Sequence, residues 1–169
     1  MGICHLHIVG PLLSYANATV SRGRYFFHMI ELRKDTNPQY KLKVGRSKSG
    51  HGLFALEPIP KGRKIIEYVG RILTDEPDDE SSNLYIFNIN KHVDIDGAPR
   101  WNIARYINHS CRPNAESEVT RGHVWVTAKK NIMLGEEITY DYGKEYWNEY
   151  IKPKGCRCDK CTKTPLMGR

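Results

Sequence analysis

Long apolar runs are missing from this sequence. No segment approaches the roughly 20 consecutive apolar residues that carry a helix across a bilayer, so a chain spanning a membrane by helices is not expected. The opening stretch, Met1 to Leu13, is mildly apolar but has no early lysine or arginine and no small-residue cleavage site, so no signal peptide is expected. Position 6 is Leu6 where a myristoylation start needs serine or threonine. Internal repeats and long amphipathic helices are also absent. Basic residues outnumber acidic ones, giving a net charge of +7, yet no block of five or more lysines and arginines occurs. They are spread, as at Arg33, Lys34, Lys41, Lys43, Arg46 and Lys48, which reads as a solvated surface. The interleaved aromatic and basic stripe of a nucleic-acid surface is missing, so nucleic acid is not indicated.

What remains is an ordinary globular composition. The chain has 169 residues, 40% hydrophobic and 27% charged, a length that suits one domain with its own core. Residues 1–39 show no clean periodicity and are read as an N-terminal extension of unknown structure; Tyr25 to Ile30 fits either a short strand or a helical turn. Asn37-Pro38 marks a break. From Tyr40 the chain reads as short strands between tight turns: Leu42 and Val44, Leu53 to Ala55, Ile65 to Val69, Leu84 to Ile89, Val93 to Ile95, Val124 to Thr127 and Ile138 to Tyr140. An acidic run from Asp75 to Glu80 reads as an exposed loop. Only Asn102 to Ile107 and Lys144 to Tyr150 suggest helix. The fold class is mainly β, a β-rich α+β arrangement of several small sheets.

Three of the five cysteines, Cys156, Cys158 and Cys161, form a C-x-C-x-x-C loop among charged residues. That tail is too polar to be core, and an odd cysteine count argues against a disulfide framework. Tetrahedral zinc wants four ligands, and Cys111 can supply the fourth. Cys4 is left over as an incidental thiol.

Cys111 lies in the densest polar stretch of the chain, Arg105-Tyr106-Ile107-Asn108-His109-Ser110-Cys111-Arg112-Pro113-Asn114. An amide, an imidazole, a hydroxyl and a thiol in succession need partners if they are buried. With Gly50-His51-Gly52, Glu67-Tyr68-Val69-Gly70, Tyr85-Ile86-Phe87, the run Gly135-Glu136-Glu137-Ile138-Thr139-Tyr140-Asp141-Tyr142-Gly143 and the cysteine tail, this stretch resembles SET-domain protein-lysine methyltransferases with a post-SET zinc motif. The resemblance covers about Tyr40 to Lys163 and divides it into a SET domain at 40–144 and a post-SET motif at 152–168.

The resemblance implies a SET fold with knot-like C-terminal threading and a zinc-bound tail. It implies S-adenosylmethionine as cofactor, structural zinc, and a protein substrate with an exposed lysine, histone-like among others. Tyr142, Tyr68 and Tyr140 match tyrosines of the lysine channel; Tyr140 occupies the position that tunes methylation degree, toward mono- or dimethylation. Ser49, Gly50, His51, Gly52, Tyr85, Arg105, Asn108 and His109 match residues that hold the cofactor, and Trp147 or Tyr146 is expected to stack on adenine. Cys111, Cys156, Cys158 and Cys161 match the zinc ligands. A monomer or weak dimer in the cytoplasm or nucleus is expected. The rival reading is a catalytically inactive SET-fold zinc module that binds a protein partner or chromatin; intact Asn108, His109 and Tyr142 argue against it. Departures from the family pattern, such as Arg112 where aspartate is frequent and a short segment between Gly70 and Tyr85, bear on substrate choice.

Overall fold

The computed structural model describes residues 18–21, 24–27, 35–74 and 84–163. The acidic run at 75–80, residues 1–13, Cys4 and the end of the 25–30 stretch lie outside these. The chain divides into two compact units between Glu31 and Leu32. In the first, strands β1 (Ala18–Ser21) and β2 (Arg24–Phe27) form an antiparallel hairpin, so the ambiguous 25–30 stretch begins as a strand.

The second unit is built from strands β3 (Leu42–Ser47), β4 (Gly50–Ala55), β5 (Lys64–Tyr68), β6 (Arg71–Thr74), β7 (Ile86–Asn90), β8 (Val93–Asp96), β9 (Asn108–His109), β10 (Ala115–Thr120), β11 (His123–Ala128) and β12 (Glu137–Tyr140). They make three small sheets, ordered β10-β11-β5, β3-β4-β12-β9 and β6-β8-β7. Helix is minor: a 3-10 turn at Ile103–Tyr106, a helical stretch that opens with α1 (Lys144–Tyr146) and continues to Lys154, and α2 (Asp159–Lys163). Several small sheets with little helix is the β-rich architecture that the strand spacing predicts. The unit begins before Tyr40: the Glu67 amide donates to the Thr36 carbonyl at 2.8 Å and Gln39 to Ile65 at 2.8 Å, which extends the edge of β5.

Turn chemistry sets the registers. Thr120 pairs with His123, leaving a two-residue loop in which Arg121 and Gly122 both have positive φ, at 52° and 76°. That mirror-image turn matches the twist of the strands it joins, and glycine at its second position is unstrained. The core forms where alternate strand residues converge. Leu53, Ile65, Ile66, Ile95, Ile107, Val124, Val126, Ile132 and Ile138 are all buried within it.

One pairing positions the site. β12 pairs antiparallel with β4 and parallel with β9, matching Thr139 to Asn108 and Tyr140 to His109. Parallel neighbours cannot be joined by a tight hairpin. The segment after β12 therefore runs beside 105–114, a stretch far from it in sequence.

Candidate active site and thiol cluster

Asn114 locks that pairing. Its side-chain amide donates to Glu136 Oε1 at 2.9 Å and to the Glu137 carbonyl at 2.8 Å, while its Oδ1 accepts from the Thr139 amide at 2.9 Å. Its own carbonyl accepts from Lys129 and Lys130. Asn108 does the equivalent on the next strand. Its amide donates to the His51 carbonyl at 2.8 Å and to Glu137 Oε1 at 2.7 Å. The other oxygen of Glu137 accepts from Ser47 Oγ at 2.9 Å. One carboxylate thus joins β3, β9 and β12.

Above these strands lies a cavity of about 540 Å³, within the size range of small-molecule sites. Its walls combine Ser49 to His51, Tyr85, Arg105, Asn108, His109 and Tyr142 with Tyr146, Tyr150 and the tail residues Gly155 to Cys158. Of the residues that the sequence pointed to for a cofactor, Gly52 and Trp147 are not on this wall. Gly52 faces Glu137 instead, where a Cβ would come within 2.5 Å of Oε1. Trp147 packs behind His109, ring centroids 5.3 Å apart. Tyr146 takes the wall position, its hydroxyl donating to the Leu84 carbonyl at 3.3 Å.

Arg105 is held tightly. Its guanidinium stacks on the Tyr85 ring at 3.9 Å, and one terminal nitrogen donates to the Ala98 carbonyl. Its Nε is buried and has no hydrogen-bond partner. An orphaned buried donor costs free energy, and the same side chain borders the cavity, where its guanidinium charge suits a ligand bearing an anionic oxygen.

Three tyrosines form an inner cluster. The Tyr142 hydroxyl donates to the Ile107 carbonyl at 2.7 Å, and its ring lies 5.0 Å from Tyr140 and 4.9 Å from Tyr146. The Tyr68 hydroxyl donates to the Tyr85 carbonyl at 2.8 Å and presses on Gly97, where any Cβ would collide with the phenol. Burial, reinforced by the neighbouring phenols, pushes Tyr68, Tyr140 and Tyr142 well above the usual tyrosine value of 10.0. All three are neutral hydroxyls at physiological pH, so none serves as a phenolate base.

The four thiols of Cys111, Cys156, Cys158 and Cys161 lie within 4.8 Å of one another and are free. Cys111 Sγ is 3.9 Å from Cys156 Sγ and 3.7 Å from Cys161 Sγ. A metal with Zn–S bonds of about 2.3 Å at the centre of a tetrahedron sets sulfurs about 3.8 Å apart. Burial holds Cys111 and Cys156 above the usual thiol value, while hydrogen bonds from its neighbours outweigh burial at Cys158 and bring it below. Soft thiolate donors in this geometry fit zinc.

Sequence reasoning missed Glu137 as the link between Ser47 and Asn108, and Gly97 as the seat of Tyr68. A carboxylate opening a half-buried strand was a signal for Glu137; Gly97, directly after the end of β8, gave none.

This arrangement of small sheets, parallel β9–β12 pairing and four-thiol tail defines a class. The family model for the SET domain matches residues 50–143. The chain belongs to the SET-domain family. It is 37% identical over 139 residues to the histone-lysine N-methyltransferase trithorax of Drosophila virilis, covering 73% of this chain and 4% of that protein. It is 39% identical over 104 residues to the H3 lysine-4 specific histone-lysine N-methyltransferase of Schizosaccharomyces pombe, covering 54% of this chain and 11% of that protein. A variant-silencing SET domain-containing protein of Plasmodium falciparum is 36% identical over 169 residues, covering 86% of this chain and 7% of that protein. The chain therefore spans only a small part of the length of these relatives.

Proposed function

We propose that this protein is an S-adenosylmethionine-dependent protein-lysine N-methyltransferase whose four-thiol tail holds structural zinc. The observation that carries this reading is the convergence, at one cavity, of the stacked Arg105, the Asn108 segment and neutral Tyr142. The named activities of the relatives support it and favour a histone-like substrate in the nucleus. S-adenosylmethionine, when bound, supplies a methyl group activated by a sulfonium charge.

The chain's own residues do the rest. The Arg105 guanidinium and the Ser49 to His51 backbone would hold the cofactor, and Asn108 keeps that backbone in place through His51. Tyr85 braces Arg105. Tyr146 and the tail residues Gly155 to Cys158 would flank the bound cofactor.

The substrate lysine has an ordinary pKa of about 10.4, so holding it neutral near pH 7.4 opposes roughly 4 kcal/mol. Low-dielectric surroundings at the neutral tyrosine cluster would favour the uncharged amine. Tyr142, fixed to the Ile107 carbonyl, and Tyr68, fixed to the Tyr85 carbonyl, would set the position of the amine and the direction of its lone pair. Tyr140 is not on the cavity wall but lies behind Tyr142, ring centroids 5.0 Å apart; a tyrosine there would crowd the amine, in keeping with mono- or dimethylation.

The test is incubation with purified histones and labelled cofactor, followed by mass spectrometry of lysine residues. Methylated lysine is expected. Absence of S-adenosylmethionine binding in calorimetry would overturn the assignment and favour a non-catalytic binding module.

A further inference from the structure

His109 matches a cofactor residue by position, but both of its ring nitrogens are already engaged. Nδ1 accepts from the Tyr142 backbone amide at 3.2 Å. A nitrogen facing an N–H donor must be unprotonated, so the ring hydrogen sits on Nε2. Nε2 lies 3.5 Å from Cys111 Sγ, a reach suited to a sulfur acceptor. The nearest carboxylate oxygen, Asp141 Oδ1, is 3.6 Å from Nδ1, too far for a hydrogen bond. The ring is only 7% exposed and is flanked by Tyr142 at 5.5 Å and Trp147 at 5.3 Å. The imidazole therefore has no polar atom left for a ligand in the cavity.

We propose that His109 is a positioning residue, donating Nε2–H to the Cys111 sulfur and thereby tying the thiol-bound metal to the backbone of Tyr142. The proposal rests on the zinc reading above and assigns this side chain to the metal's surroundings. A donor of this kind withdraws charge from a metal-bound thiolate and fixes its orientation, and losing such a partner typically costs 10- to 100-fold in metal affinity. It also gives a short path, Cys111 to His109 to Tyr142, by which an occupied metal site is felt at the tyrosine.

Two substitutions separate the ring nitrogens. In His109→Asn the amide overlies Nδ1, so the Tyr142 contact is kept and the sulfur donor lost. In His109→Gln the amide reaches the Nε2 position and the sulfur donor is kept. Zinc affinity is measured by chelator competition, and the cobalt-substituted protein gives the sulfur-to-metal charge-transfer band. His109→Asn is expected to bind zinc about 10- to 100-fold more weakly and to move that band to longer wavelength, while His109→Gln stays near the unmodified protein on both measures. Equal zinc affinity and an unshifted band in His109→Asn overturn the proposal. Equal losses in both variants also overturn it, because they mark a merely structural role. Unmodified protein that binds no zinc removes the metal reading itself, and the proposal with it.

Discussion

Asn108 Nδ2 and Glu137 Oε1 stand 2.7 Å apart across the parallel β9–β12 pair. The same amide reaches the His51 carbonyl, and the same carboxylate holds Ser47. A single charge-assisted hydrogen bond thus orders three segments that border the cavity. Glu137→Gln keeps the shape but loses the charge, and its new NH2 must face either the Asn108 amide donor or a Ser47 hydroxyl turned round to accept. The expected outcome is weakening of S-adenosylmethionine binding by about 10-fold, the worth of a charge-assisted bond less a neutral one. Calorimetry measures it; unchanged affinity would leave Glu137 a purely structural residue.

Tyr142→Phe removes the hydroxyl that anchors the ring to Ile107. Turnover is expected to fall about 100-fold or more through misplacement of the amine, with cofactor affinity kept within a few-fold. Single-turnover methyl transfer alongside calorimetry separates the two. Full activity in this variant would sink the proposed mechanism.

Gly97→Ala tests the seat of Tyr68. The added methyl has no room against the phenol, and overpacking of this sort costs about 1–3 kcal/mol. A lowered urea midpoint with a matching loss of turnover is expected. Tyr68→Phe in the same background should restore little, because ring carbons still lie 2.3 and 2.4 Å from the added methyl, whereas Tyr68→Ala should relieve the clash.

The fold and the site were legible to different degrees. Strands such as β5 and β11 carry alternating or continuous β-branched residues, so they stand out. β10 does not: Ala115 is small, Ser117 is polar, Val119 is apolar but exposed, and Glu116 and Glu118 stand between them. β9 is two residues long and exists only because β12 lies beside it. The tail cysteines and the 105–114 run stood out because each is a local pattern, although Cys111 lies 45 positions from Cys156. The role of Glu137 depends on Ser47, 90 positions earlier in the chain, and no local pattern encodes that. His109 shows the same gap, since its motif marks it as important but only geometry shows which way its nitrogens point.

The phenols predict the response to pH. Their folded values lie above the ordinary 10.0, so the fold favours the neutral form. That contribution is complete below pH 10, and it is lost as pH rises past 10 toward the folded values, because unfolded tyrosines ionise first. The urea midpoint is expected to hold steady from pH 8 to about 9.5 and then fall. Tyr68→Phe should flatten the fall. A rise in turnover between pH 7 and 9 would report the substrate amine, since these three tyrosines do not titrate there.

Stripping zinc from the tail is expected to weaken cofactor binding, although the metal would do no chemistry. The cavity wall includes Gly155 to Cys158, and releasing the thiols frees that wall. Chelation followed by calorimetry should show at least a 10-fold weaker affinity, comparable to losing one good polar contact. Unchanged affinity would mean two independent sites.

The β9–β12 pair also has a consequence for how the chain reaches its native state. The bonds that finish the cavity join partners 29, 35 and 90 positions apart. Loops of that length must close before any of these contacts stabilises the chain, and such non-local pairings slow folding. Sheets closed by local hairpins, β10 with β11 and β7 with β8, can form early and wait. The cavity then appears in the last cooperative step, so kinetic probes on Tyr142 should lag those on Trp125, and substitutions at Glu137 should speed unfolding more than they slow folding.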